Sequence, residues 1–137
     1  MIRAEVAPIV VGRRSNIQDN CTLHTDLGYP LSIGEGVSIG HNTVVHGATI
    51  ESNCLIGMNA TLLNGSRIGK NCVIGAGALV LQDTSIPENS LALGVPASVK
   101  RKLSVVEIQR IHTNADHYSQ FAREYLAMMK RIKSKKR

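Results

Sequence analysis

Residues 17–24 read Ile-Gln-Asp-Asn-Cys-Thr-Leu-His, and residues 39–47 read Ile-Gly-His-Asn-Thr-Val-Val-His-Gly. In both, an aliphatic residue is followed three places on by asparagine and six places on by a second aliphatic residue. The same spacing runs outward through most of the chain. Aliphatic anchors stand at Val11, Ile17, Leu23, Ile33, Ile39, Val45, Ile50, Ile56, Leu62, Ile68, Ile74, Val80 and Ile86. The step is six, broken by a step of ten at Leu23–Ile33 and of five at Val45–Ile50. Three places after an anchor come Asn20, Gly36, Asn42, Asn53, Asn59, Gly65, Asn71, Gly77, Asp83 and Asn89. These residue types tolerate positive φ at a tight turn.

A six-residue unit that turns every time is a short strand and a corner. Three units close a triangular coil of 18 residues, and coils stack with strands ~4.8 Å apart. The pattern predicts a mainly β chain, a parallel β-helix over 1–100, followed by a C-terminal helical unit over 101–137. The slot after the turn is small or modest and holds Cys21, Cys54 and Cys72, which packing explains better than chemistry. Three cysteines fit no metal-knuckle spacing. From Ser104 a helix is expected. Ser104 and Glu107 form a capping box, and Ile108, Ile111, Ala115, Tyr118, Ala122, Tyr125, Met129 and Ile132 make one apolar face to lie along a β-helix. His112 and His117 flank that stripe as surface residues.

Composition narrows the function. With three Tyr, one Phe and no Trp, the core is aliphatic. The net charge of +6 equals the charge of Lys130, Arg131, Lys133, Lys135, Lys136 and Arg137, so the body is near neutral and the basic end reads as a solvated helix terminus. Neither nucleic acid nor membrane is an expected partner, no apolar run spans a bilayer, and no signal peptide is evident. A reducing cytoplasm is the simplest location.

The repeat also places three histidines. His24 follows Leu23 and His46 follows Val45, 22 residues apart: one 18-residue coil plus the excursion at Asp26–Pro30. Both project outward from one face, a rung apart. His41, two places after Ile39, belongs to another face and does not easily reach its own chain's pair; a three-fold trimer would bring it to the His24/His46 pair of a neighbour. Three neutral imidazoles with an open fourth position suit a catalytic zinc-type site. Arg3 heads the column of His24, Asp19 occupies the slot of His41 one coil away with Gln18 beside it, and Asn64 stands two places after Leu62.

With Asn16-Ile17-Gln18-Asp19-Asn20, Leu23-His24, Gly40-His41, Val45-His46-Gly47, Ile56-Gly57-Met58 and Leu63-Asn64-Gly65, the chain resembles the γ-class carbonic anhydrase-like proteins of the hexapeptide-repeat family. Gly94-Val95-Pro96-Ala97 is similar to that family's exit from the repeat. The resemblance implies a left-handed parallel β-helix, a homotrimer, and a metal (Zn, or Fe or Co) held by His24 and His46 of one subunit and His41 of the next. It implies CO2 hydration to bicarbonate through a metal-bound hydroxide, with Gln18 positioning the hydroxide and Asn64 near the substrate. Arg3, Glu5, Asn16 and Asp19 then belong to the seam between subunits. Against the family pattern the chain opens late, within the first coil. Arg3-Ala4-Glu5 replaces an Arg-Gly-Asp, and Thr25–Pro30 replaces a long acidic loop, leaving Asp26 as the lone candidate proton shuttle or a simple turn residue. Two other functions fit the fold: an acyl-CoA transferase or thioesterase, and a non-catalytic trimeric metal-binding scaffold.

Overall fold

The computed structural model describes residues 1–135. It is a parallel β-solenoid of about five turns with a single C-terminal helix, as the repeat predicts. Each turn contributes one short strand to each of three sheets. The first sheet stacks β1 (Ile2–Arg3), β4 (Thr22–His24), β7 (Val44–His46), β10 (Thr61–Leu62) and β13 (Leu79–Val80). The second stacks β2 (Ile9–Val11), β5 (Leu31–Ile33), β8 (Thr49–Ile50), β11 (Arg67–Ile68) and β14 (Ser85–Ile86). The third stacks β3 (Asn16–Ile17), β6 (Ser38–Ile39), β9 (Leu55–Ile56), β12 (Val73–Ile74), β15 (Ser90–Leu93) and β16 (Ser98–Lys102).

Register follows the anchors. Leu23 pairs with Val45, Ile33 with Ile50, and Ile39 with Ile56, and each of these side chains is buried. The interior is therefore three aliphatic columns, with Cys21, Cys54 and Cys72 as buried free thiols between them. Burial pushes the Cys54 thiol up to about 12, so it is a packing residue and not a nucleophile. All ten predicted turn residues have positive φ, from 56° at Asp83 to 71° at Gly65. Arg14, three places after Val11, does the same with φ 57°. The slot is thus imposed by the coil and not by residue type.

Corners after the second and third sheets pass close over the next coil. A Cβ on Gly34 would lie 2.6 Å from the Ser52 nitrogen, so only glycine fits there. After the first sheet's anchors the next residue is never glycine, and this outward column runs Arg3, His24, His46, Leu63, Leu81, extending the pairings Arg3–His24 and His24–His46. That local difference is why histidines can stand on this face.

Two features depart from the sequence reading. Residues 98–102, which the hexapeptide spacing does not mark as a strand, form β16 antiparallel to β15. The helix α1 (Val105–Lys135) begins on the expected capping box: the Ser104 N–H and hydroxyl donate to Glu107 Oε2 at 2.8 and 2.9 Å, and the Glu107 N–H donates to Ser104 Oγ at 3.3 Å. Its apolar face packs on the solenoid only in its first half. Ile111 and Ala115 are buried, whereas Tyr125 and Ile132 are exposed. The reason is length, since a 31-residue helix runs about 46 Å and five strand spacings give about 24 Å. His112 and His117 are exposed, as expected. Of the basic end, Lys136 and Arg137 lie outside the described residues. No described helix is long and apolar enough to cross a membrane.

Candidate metal centre

Strands β4 and β7 lie side by side and in register, and each ends in a histidine. The two rings meet edge to face with centroids 4.8 Å apart. His24 Nδ1 stands 2.9 Å from His46 Nε2. One rung further along the column, Arg3 Nη2 lies 3.0 Å from His24 Nε2, and Glu5 Oε2 lies 3.2 Å from the same nitrogen. Arg3 and Glu5 are themselves paired at 3.1 Å. With Nε2 bare, the His24 ring accepts from the guanidinium; with the hydrogen on Nε2 it donates to the Glu5 carboxylate, and a neutral ring of that tautomer leaves Nδ1 bare.

On the other side, His46 Nδ1 lies 2.6 Å from Asn64 Oδ1. Asn64 Nδ2 donates to Asp26 Oδ2 at 3.2 Å. The second oxygen of Asp26 accepts the Leu27 N–H at 2.8 Å, inside a tight turn that the backbones of Asp26 and Tyr29 close on each other. The Leu27 N–H and then the Asn64 amide hold the Asp26 carboxyl below its ordinary range.

His41 is elsewhere. It sits between β6 and β7, at the corner before the first sheet, while His24 and His46 end that sheet's strands. Its Nδ1 is 3.7 Å from Asp19 Oδ2. Gln18, His41, Met58 and Tyr118 line one shallow cleft, and Gln18 is steadied from below as its Nε2 donates to Asn16 Oδ1 at 3.4 Å. Asn16 Nδ2 in turn donates to Ser38 Oγ at 2.8 Å.

The sequence-predicted residues thus fall into two clusters. Arg3, Glu5, His24, His46 and Asn64 meet at one corner; Asn16, Gln18, Asp19 and His41 meet at another. Asn64 contacts His46 directly, a link its place in the repeat does not reveal. Asp26 reaches the site through that asparagine across 38 positions of sequence.

The donor set can be tested against a metal. Two imidazole nitrogens facing each other at 2.9 Å are near the ~3.3 Å separation of two tetrahedral zinc ligands, each ~2.0–2.1 Å from the ion. The pair fits. Among the described residues of one chain, however, no group of three or more His, Cys, Asp or Glu side chains is arranged to hold a metal ion.

Comparison with known proteins places the chain among hexapeptide-repeat proteins. Residues 47–82 match the bacterial transferase hexapeptide family (six repeats), and residues 30–63 match the hexapeptide repeat of succinyl-transferase. A Methanocaldococcus jannaschii protein described as a probable carbonic anhydrase is 63% identical over 86% of this chain and 74% of its own length. Gamma carbonic anhydrase 1, mitochondrial, of Arabidopsis thaliana is 41% identical over 93% of this chain and 48% of its own length. The crystal structure of a Bacillus cereus protein described as an acetyltransferase superposes with a TM-score of 0.89 at 38% identity, covering 92% of this chain and 73% of that one. With its register-paired histidines, its repeat and relatives of this similarity, the chain belongs to the γ-class carbonic anhydrase-like branch of the hexapeptide-repeat proteins.

Proposed function

We propose that this protein hydrates CO2 to bicarbonate at a metal held between subunits of a homotrimer, by His24 and His46 of one subunit and His41 of the next. The observation that carries the reading is the pairing of His24 with His46 one rung apart, nitrogens 2.9 Å from each other, on the outward face of the first sheet. Zinc is the metal that the imidazole donor set suits first, with iron or cobalt also accommodated. When bound, such a metal lowers the pKa of a water molecule to about 7 and so supplies the nucleophile.

The chain's own residues have separate tasks in this scheme. Glu5, itself paired with Arg3, accepts the hydrogen on His24 Nε2 and so fixes the ring with Nδ1 free for the metal. Gln18, steadied by Asn16, presents its amide beside His41 and serves to orient the attacking water. Asp19 braces His41 from the adjacent coil.

Trimer formation is supported by what surrounds the histidines. Leu81, in the column of His46, and Met58, in the column of His41, are exposed in the single chain at 43% and 52%. Both histidine corners are thus flanked by apolar side chains that a neighbouring subunit would cover. A transferase needs a single histidine as general base, whereas here the two rings are engaged with each other.

The test is stopped-flow CO2 hydration on metal-reconstituted protein, with His46→Ala as the control. The reading predicts metal-dependent hydration that the substitution abolishes. Metal bound at one per subunit without hydration would shift the assignment to a thioesterase or to a scaffold.

A further inference from the structure

We infer that Asn64 and Asp26 act together as positioning residues that set the tautomer of His46. The inference deepens the metal-site reading above and rests on it for the identity of the ligand.

A carboxylate can only accept hydrogen bonds, and both oxygens of Asp26 are engaged. Oδ1 takes the Leu27 N–H at 2.8 Å and Oδ2 faces Asn64 at 3.2 Å. The Asn64 group facing Asp26 is therefore its NH2, which turns its carbonyl oxygen toward His46. That oxygen can only accept, so His46 Nδ1, 2.6 Å away, carries the proton. In a neutral imidazole one nitrogen holds the hydrogen, which leaves the lone pair on Nε2. Nε2 is the atom that faces His24.

The order of causes runs from a turn to a ligand. The Asp26–Tyr29 turn fixes the carboxylate, the carboxylate fixes the amide, the amide fixes the proton, and the proton leaves Nε2 ready to bind a cation. Outer partners of this kind orient metal-ligating histidines and raise their basicity. In this arrangement Asp26 holds a position and is not itself the group that carries protons away. Its turn lies at the step of ten in the repeat, so the four extra residues of that coil are what deliver a carboxylate to Asn64.

The test uses full-length protein and two readouts. The first is the 15N shift pattern of the His46 ring in metal-free protein at alkaline pH, where imidazoles are neutral. The wild type is expected to show Nδ1 protonated and Nε2 bare, and Asn64→Leu to populate the opposite tautomer. The second is Zn2+ affinity by chelator competition, expected to fall about 10–100-fold in Asn64→Leu and by a smaller factor in Asp26→Ala. The double exchange Asn64→Asp with Asp26→Asn restores the sequence of donor and acceptor, and is expected to recover both readouts. Its recovery also answers the objection that Asn64→Leu merely disturbs folding. An unchanged His46 pattern in Asn64→Leu, or no recovery in the double exchange, overturns the inference. A wild type that binds no Zn2+ contradicts the metal reading instead, and the tautomer pattern, read without metal, still decides the positioning role.

Discussion

At the scale of single residues the repeat makes separable demands at one slot. Asn59 and Asn71 both occupy the turn position, with φ of 59° and 58°. Asn59 is exposed, whereas Asn71 stands in a ladder: it accepts from Asn53 Nδ2 at 2.7 Å and donates to Asn89 Oδ1 at 2.9 Å. Asn59→Gly keeps the only property the site needs and is expected to leave stability within about 0.5 kcal/mol. Asn71→Gly keeps the backbone but strands two amides, and is expected to cost about 1–3 kcal/mol by denaturant titration. Equal losses in the two variants would mean that the ladder contributes nothing. The turn conformations were legible from sequence because the slot recurs ten times. The bond between Asn64 and His46 was not, since the repeat says which face a residue occupies and not which way its amide points.

At the scale of elements the helix start is the sharpest case. Glu107 accepts from Ser104 and forms a two-pronged pair with Arg101, at 2.7 and 2.9 Å. The Arg101 guanidinium, aided by the Ser104 N–H, pulls its carboxyl from 4.5 down to about 2. A carboxyl depressed in the folded state contributes stability that is complete above its unfolded pKa and is lost as pH falls through the folded value. The contribution of Glu107 should thus be present above about 4.5 and vanish toward about 2. Thermal midpoints should show Glu107→Gln less stable than wild type at pH 7 and equal to it near pH 2. A difference that persists in acid would assign the effect to packing.

The capping box was readable because it is local, three residues in span. Strand β16 was not, because it pairs with β15 outside the hexapeptide rule and depends on the exit turn at Gly94–Ala97. The reach of the helix face was also hidden. Periodicity shows a stripe but not how many strands stand beneath it, so Ile111 and Ala115 find the solenoid while Tyr125 and Ile132 pass beyond it.

At the scale of the coil, close approach between turns sets the tolerance. Gly34→Ala places its methyl against the backbone of Ser52, where no rotamer change relieves the contact. Overpacking of this kind costs about 1–3 kcal/mol, and urea unfolding should register it as a lower midpoint. An unchanged midpoint would mean that the corner yields more easily than stacked backbone should.

At the scale of the whole molecule the account stands on one claim, that the site is divided between subunits. One chain brings His24 and His46 together and leaves His41 at another corner. His24→Ala and His41→Ala damage different halves, so each variant alone should bind no metal. Refolded together, they form mixed trimers in which some seams join an intact pair to an intact His41. With random mixing in a cyclic trimer, about one seam in four is complete. The decisive measurement is metal content per subunit of the two variants, alone and after co-refolding. The account predicts essentially none in either alone and about a quarter of the wild-type content in the mixture. Full metal in His41→Ala by itself, or none in the mixture, would contradict it.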